Sequence, residues 1–439
     1  MIIQRLALNQ LRVFDSEAEF DFNNRMNLLV GVNGAGKSTT LEAIRILLTQ
    51  MVGDIVDDYA ERPDDFSASD IAYGRDVLVA EMDVRVAGTP ISYIRNMPRE
   101  KTKADKDREG EVRHQTFDTS DIKEWTSPSP SSPNHPSEIR QEVEDRTENA
   151  LAIFFSPERS VVKRKEASKG THGGGKKAAY ASALSPQKFE IRRLGQWLRV
   201  QETLMEDEDD QHGRRLHAVE MAVSRFLQRY QNLRGVDGEG HLLIDQGDKT
   251  LQVAQLSDGE RGVLSLVLDI TTRLAQANPD SDNPLEEEAI VLIDEIDLHL
   301  HPGWQRSISD LLLDTFENCQ FICTTHSPQV ISEVEPESLF ILKQSEEEGI
   351  VVRRPNQSYG LDTNWILESL MDVQVRPPEV EEKIEAVEDA LEVGELNKAR
   401  FELESLRDLL HGYDPVVSRL EASIRNLQSL ADEANPEEP

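Results

Sequence analysis

Eight residues, Gly31-Val32-Asn33-Gly34-Ala35-Gly36-Lys37-Ser38, constrain this chain more than any other stretch. They fit the pattern G-x-x-x-x-G-K-S without a mismatch. The apolar run Met26 to Val30 precedes them and reads as a buried strand; a helical run, Thr40 to Gln50, follows. A glycine-rich turn between a strand and a helix N-terminus aims backbone N–H groups at a chain of phosphates, and the helix dipole adds a favourable field. Asn33, Gly34, Ala35, Gly36, Lys37, Ser38 and Thr39 are therefore the candidate nucleotide-binding residues. Lys37 would reach the β- and γ-phosphates, and the Ser38 hydroxyl would hold Mg²⁺.

Four later features belong with that loop. Leu256-Ser257-Asp258-Gly259-Glu260-Arg261 precedes a helical run from Gly262 to Ala277. It makes a second helix N-terminus suited to phosphate, where Gly259 allows close backbone approach and the Ser257 hydroxyl can donate to phosphate oxygens. Ala289 to Ile293 is an apolar strand that ends in two carboxylates, Asp294 and Glu295. Buried strands rarely end in paired charges without a use for them. Asp294 would sit beside the Mg²⁺, bound through water, and Glu295 would orient and polarise the water that attacks the γ-phosphate. Asp297-Leu298-His299-Leu300-His301-Pro302 follows at once. After a helix from Gly303 to Asp314, the strand Gln320 to Thr324 ends at Thr325-His326-Ser327-Pro328, which places His326 where it could contact the γ-phosphate.

Charge and length bound the rest. Across 439 residues the net charge is −34, which argues against broad, non-specific adhesion to nucleic acid or anionic membrane while leaving room for a local basic patch. With no signal peptide and no apolar run of membrane-spanning length, the expectation is a cytoplasmic protein with no membrane partner. The two cysteines, Cys319 and Cys323, are not spaced as C-x-x-C, and a reduced structural thiol is expected.

Along the chain, Ile2 to Leu8 and Ala18 to Phe22 read as a hairpin, as do Asp76 to Val86 and Ile91 to Arg95 about Gly88-Thr89-Pro90. Residues 98–148 are polar and include Ser127-Pro128-Ser129-Pro130-Ser131-Ser132-Pro133, the composition of a flexible insertion. A second insertion, 160–186, carries Lys163, Arg164, Lys165, Lys176 and Lys177, the best candidate for a nucleic-acid contact in so acidic a chain; a solvated loop is the alternative. Residues 187–277 form a helical and signature region, helical from Lys188 to Tyr230 but interrupted by the acidic run Glu206 to Asp210, with a hairpin from His241 to Val253 that turns at Gly247-Asp248.

This set of motifs resembles the ATP-binding-cassette ATPases: Walker A at Gly31 to Ser38, signature at Leu256 to Glu260, Walker B at Ile290 to Asp294, catalytic glutamate at Glu295, D-loop from Asp297 and switch histidine at His326. The resemblance implies an α/β fold, with a mixed β-sheet flanked by helices, an antiparallel β subdomain and a helical signature subdomain over residues 1–345. It implies ATP and Mg²⁺ as ligands, with Glu295 and His326 in catalytic roles. In that family ATP lies between two heads, the phosphate loop from one and the signature from the other, so self-association is expected. Asp294-Glu295-Ile296-Asp297-Leu298-His299 is unlike transporter cassettes and similar to the soluble branch of overcoming-lysogenization-defect nucleases, recombination ATPases and defence ATPases. The helical stretch between the Walker motifs is too short for chromosome-maintenance arms, and no Asp-x-Asp follows His326.

Residues 346–439 read as a C-terminal module of strand and helices, with apolar residues at helical spacing from Val380 to Leu410 and a last helix opened by Asp414-Pro415. This tail resembles the PtuA-type ATPases of Septu systems and their relatives in retron anti-phage systems. That resemblance implies an HNH nuclease partner, and in retron versions a reverse transcriptase with its msDNA and RNA, with DNA contacted by the complex. The alternative is a repair or recombination ATPase that clamps DNA directly through Lys163 to Lys177. Two departures stand out. The Q-loop position reads Ser156-Pro157-Glu158-Arg159 without a glutamine, and the signature carries Asp258 and Glu260. The first means that the register differs or that another residue takes the glutamine's role; the second implies slow, regulatory hydrolysis.

Overall fold

The computed structural model describes residues 1–56, 59, 62–99, 150–160, 175–186, 191–205, 210–235, 242–345 and 349–434. The polar stretch around Ser127 to Pro133 and the basic residues Lys163, Arg164 and Lys165 lie outside the described residues.

Near the N-terminus, β1 (Ile2–Asn9) pairs antiparallel with β2 (Ala18–Asp21), and β3 (Met26–Val30) leads into the phosphate-loop motif. β4 (Val77–Val86) and β5 (Thr89–Pro98) complete a four-stranded antiparallel sheet in the order β2-β1-β4-β5. Its hairpin turns at Ala87-Gly88, one residue earlier than expected. Both residues have positive φ, 51° and 82°, as the two-residue turn that matches strand twist requires.

The second sheet contains β3, β6 (Ala152–Phe155), β10 (Ala289–Ile293), β11 (Cys319–Thr325), β12 (Leu339–Ser345) and β13 (Gly349–Arg353), in the order β13-β12-β3-β11-β10-β6. Between them in sequence, β7 (Gln231–Gly235), β8 (Leu242–Gln246) and β9 (Lys249–Gln252) form a small antiparallel sheet. β8 and β9 are the hairpin read from sequence. β7 carries too polar a face (Gln-Asn-Leu-Arg-Gly) to be legible as a strand.

In the larger sheet all strands run parallel except β13. β3, β10 and β11 are buried at every position, which is why they read as continuous apolar runs rather than alternating ones. Ile293 lies opposite Cys323, and Thr325 opposite Val30. The residues that follow these three strands therefore leave the sheet at one edge, the carboxyl end where open α/β sheets place their ligands.

Two expectations shift. Residues 175–186 are not a loose insertion: Ala179, Tyr180, Ala183 and Leu184 are buried, the Phe154 amide donates to the Ala183 carbonyl at 2.7 Å, and Arg273 donates to the carbonyls of Ala179 and Ala181 at 2.6 and 3.0 Å. The polar, glycine-rich lead-in hid this segment's four apolar anchors. β13 is a strand of the main sheet, so the first compact unit runs to Ile366 rather than ending near 345. The helical region, as expected from its acidic interruption, comprises separate helices Ile191–Leu204 and Gln211–Phe226, the second capped by Asp210, whose side chain accepts from the amides of His212 and Gly213.

Among its described residues the second unit, Leu367–Pro439, includes the α-helices Pro378–Glu392, Leu396–Leu410 and Pro415–Ala434. Val380, Ile384, Val387, Leu403, Leu406, Leu420 and Ile424 fill its core, the stripe that the helical spacing foretold. The Asp414 carboxylate caps the last helix through the Val416 amide at 2.9 Å and takes a two-pronged bond from Arg376 at 3.0 and 3.1 Å. Among the described residues no helix is long and apolar enough to cross a membrane.

Both cysteines are fully buried in β11 and unbridged, and burial pushes the Cys319 thiol up to about 12. Native protein at pH 8 is therefore expected to resist a thiol-alkylating reagent and to take up two labels in denaturant. Stoichiometric labelling before unfolding would contradict the burial.

Candidate functional site

The loop that follows β3 is gripped from two sides. A Cβ on Gly31 would fall 2.5 Å from the Leu342 carbonyl oxygen of β12, and one on Gly36 would fall 2.7 Å from the Phe14 ring. Gly34 and Gly36 also have φ of +82° and +96°, a region that side chains disfavour. Asn33 and Gly34 are exposed at the tip, while Ala35 and Gly36 are buried below it. The chain then enters the helix Lys37–Ile55, and Thr40 ties back to the Gly36 carbonyl through its amide and hydroxyl, at 2.8 and 3.0 Å. Thr39 is half-buried in its first turn.

Lys37 is buried and folds over its own loop, donating to the carbonyls of Gly31 and Val32 at 2.8 and 3.0 Å. Burial lowers its ammonium to about 8, against the opposing pull of Asp294, Glu295 and Asp297. Ser38 remains exposed, and its hydroxyl donates to Asp294 Oδ1 at 3.1 Å. The first and second halves of the chain thus meet at one bond, 256 residues apart in sequence.

Asp294 and Glu295 come straight off β10. The Asp294 amide closes the strand on the Phe155 carbonyl at 2.9 Å, and its side chain accepts from Thr324 Oγ1 at 2.6 Å. That same threonine oxygen accepts from the Glu295 amide at 2.7 Å. Thr324 therefore holds the Asp294 carboxylate and the Glu295 backbone from the neighbouring strand. Glu295 sits at φ +53°, a conformation that costs a non-glycine residue roughly 1–3 kcal/mol and is found mainly where surrounding structure enforces it. Thr325 Oγ1 donates to Asp297 at 2.6 Å and accepts the Ser327 amide at 3.0 Å; Gln305 holds the Leu300 carbonyl at 3.0 Å and accepts from Ser327 Oγ at 2.9 Å. Thr324, Thr325 and Gln305 were missed in the sequence reading. The repeated hydroxyls just before His326, at the end of a buried strand, were the available signal.

His326 is half-buried where β11 leaves the sheet. Burial and then the Lys37 charge lower its imidazole below the usual range, opposed by Asp297, Glu295 and Asp294. The neutral ring so favoured can both donate and accept.

The Leu256–Arg261 turn opens the helix Asp258–Ala277, with Ser257 at its cap. Ser257 Oγ accepts from the Glu260 amide at 3.3 Å, and Glu260 Oε2 accepts from the Ser257 amide and hydroxyl at 2.9 and 2.7 Å. These bonds form a reciprocal capping box. A Cβ on Gly259 would fall 2.5 Å from the His299 carbonyl. That glycine seats the turn on the loop following Glu295, where His299 itself has φ +61°. Asp258 pairs with Arg261. Lys176 and Lys177 are exposed at the start of the helix Lys176–Tyr180; Lys163, Arg164 and Lys165 lie outside the described residues.

Chemically, the edge holds a buried cation at the mouth of a helix, a hydroxyl and a carboxylate in contact, a second carboxylate and a neutral imidazole. Among the described residues no group of three or more His, Cys, Asp or Glu is arranged to hold a metal. Ser38 and Asp294 offer two hard oxygen donors, which fits an octahedral cation that keeps most of its shell as water and phosphate oxygens.

A family model described as "AAA domain, putative AbiEii toxin, Type IV TA system" matches residues 26–332. Over 164 residues the chain is 44% identical to "Retron Ec83 probable ATPase" of Escherichia coli, covering 37% of this chain and 30% of that one. Over 103 residues it is 45% identical to "Retron Vc95 probable ATPase" of Vibrio cholerae serotype O1 biovar El Tor, covering 24% and 20%. Over 142 residues it is 32% identical to "Septu protein PtuA" of Bacillus thuringiensis, covering 31% and 36%. The matched stretches thus span about a third or less of these relatives' own lengths. Among solved structures, an Smc head bound to the C-terminal winged-helix domain of ScpA aligns over 81% of this chain and 98% of its own, with TM-score 0.46 and 12% identity.

Proposed function

The chain belongs to the family described as "AAA domain, putative AbiEii toxin, Type IV TA system", and from that premise we propose that it is an ATP-hydrolysing subunit of an anti-phage defence complex. The observation that carries the ATPase reading is the contact of Ser38 with Asp294 at 3.1 Å, in front of Lys37, Glu295 and His326. In this reading Lys37 releases the Gly31 and Val32 carbonyls and takes the β- and γ-phosphate oxygens instead. The amides from Asn33 to Thr39 receive the remaining phosphate charge. Ser38 and Asp294 would hold Mg²⁺, which would supply charge neutralisation across the phosphates. Glu295 orients the attacking water and draws off its proton, and His326 contacts the γ-phosphate.

The Ser257–Glu260 turn completes the nucleotide site of a second copy, so ATP draws two heads together and hydrolysis releases them. The retron and Septu names of the relatives support a defence setting. The compact C-terminal unit supports a docking module for an HNH nuclease, whose cutting the nucleotide state governs; a reverse transcriptase with msDNA is the further partner in a retron setting.

Deletion of the residues after Arg376 tests the partner assignment. Co-expressed with the HNH nuclease of its own locus, the shortened chain is expected to lose co-purification while retaining ATP binding. A tailless chain that still captures the nuclease removes the assignment.

A further inference from the structure

The capping box at Ser257 has a third member that the proposed reaction does not yet use. Tyr230 lies between the helix Gln211–Phe226 and β7, is 7% exposed, and donates its hydroxyl to Glu260 Oε1 at 2.8 Å. The other carboxylate oxygen takes both the amide and the hydroxyl of Ser257. With one oxygen fixed by Tyr230, the carboxylate cannot rotate without breaking a bond, and the Ser257 hydroxyl is held through it. Burial, followed by the bond to Glu260, raises the Tyr230 phenol to about 12, so it remains a donor throughout the neutral range. Burial favours protonation of Glu260, but the bonds from Ser257 and Tyr230 outweigh it and hold the carboxyl below its usual range. The acceptor thus stays charged and the chain of bonds stays intact.

We propose that Tyr230 is a positioning residue which, through Glu260, fixes the Ser257 cap, whose hydroxyl proton is taken by that carboxylate, and so aims the amides of the helix start at the triphosphate held by a second copy of the chain. This rests on the proposed head-to-head reading. Tyr230 touches neither nucleotide nor metal, so its contribution appears only when two heads meet.

Tyr230→Phe keeps the ring and its packing but removes the donor. In a Glu295→Gln background, which slows hydrolysis, ATP-dependent self-association is expected to weaken about tenfold, the worth of one hydrogen bond to a charged group. The affinity of a single head for ATP, measured at concentrations too dilute for association, is expected to stay unchanged. In a Glu260→Ala background, Tyr230→Phe is expected to add nothing, because its only route to Ser257 is gone. Undiminished association of the phenylalanine variant, or a full additive loss on top of Glu260→Ala, overturns the proposal. If Glu295→Gln with Tyr230 intact fails to associate on adding ATP, the head-to-head reading itself has failed.

Discussion

Glu295→Gln is expected to turn a transient association into a stable one: with ATP and Mg²⁺ the variant elutes as a dimer or larger assembly, and without them it elutes as the wild type does. Steady-state phosphate release is expected to fall by about 100-fold or more, the usual consequence of losing a positioned general base. The substitution leaves the means of binding intact. Glutamine keeps the length of the side chain, and the residue's backbone is held by the Thr324 hydroxyl through its amide, a bond that does not depend on the side chain. Removing a negative charge from a pocket that already holds Asp294 and Asp297 beside Lys37 also favours a polyanionic ligand. Size-exclusion chromatography with and without ATP reads the first effect and a phosphate-release assay the second. Unchanged hydrolysis would remove Glu295 from the chemistry.

Lys37→Ala is expected to abolish measurable nucleotide binding, a loss of about 100-fold or more in affinity, since charge-assisted bonds to two phosphates disappear at once. The same substitution is not expected to destabilise the empty protein. The ammonium is buried against its own loop and its pKa is lowered by that burial, a sign that the folded state tolerates the charge at a cost. Thermal denaturation separates the two effects. The wild type gains stability as ATP rises above its dissociation constant, whereas the variant starts from an equal or higher midpoint and gains none. A nucleotide-induced rise that survives in Lys37→Ala would contradict the assignment of the loop.

The parts of this molecule that could be read in advance are those where one physical requirement dominates several consecutive residues. β3, β10 and β11 are buried on both faces and consequently written almost wholly in apolar letters, and the glycines at 31, 34 and 36 are each demanded by a close approach or a positive φ. The three C-terminal helices show their stripe because a small unit has only one face to bury. The missed parts depend on partners distant in sequence. The segment 175–186 is fixed by Arg273, some ninety residues away, and nothing local in a glycine- and lysine-rich stretch foretells that. Glu295 adopts positive φ without being Gly, Asn, Asp or His, the residues by which such a conformation is usually recognised. The bonds of Thr324, Thr325 and Tyr230 to the carboxylates likewise need the strands and helices laid side by side before they can be seen.

The two contacts that flank the phosphate loop come from separate places: the Leu342 carbonyl against Gly31 from β12, and the Phe14 ring against Gly36 from the connection between β1 and β2. A loop wedged between them has little freedom left to surrender when an anion arrives. Its ordering entropy is lost during folding, so recognition here is that of a preorganised cradle, and tightening it further would gain little affinity. The same wedge ties the β1–β2 connection to the larger sheet. A smaller side chain at position 14 would loosen the grip on the loop's base, and what looks like a packing change in a connecting segment would be felt as slack in the cradle.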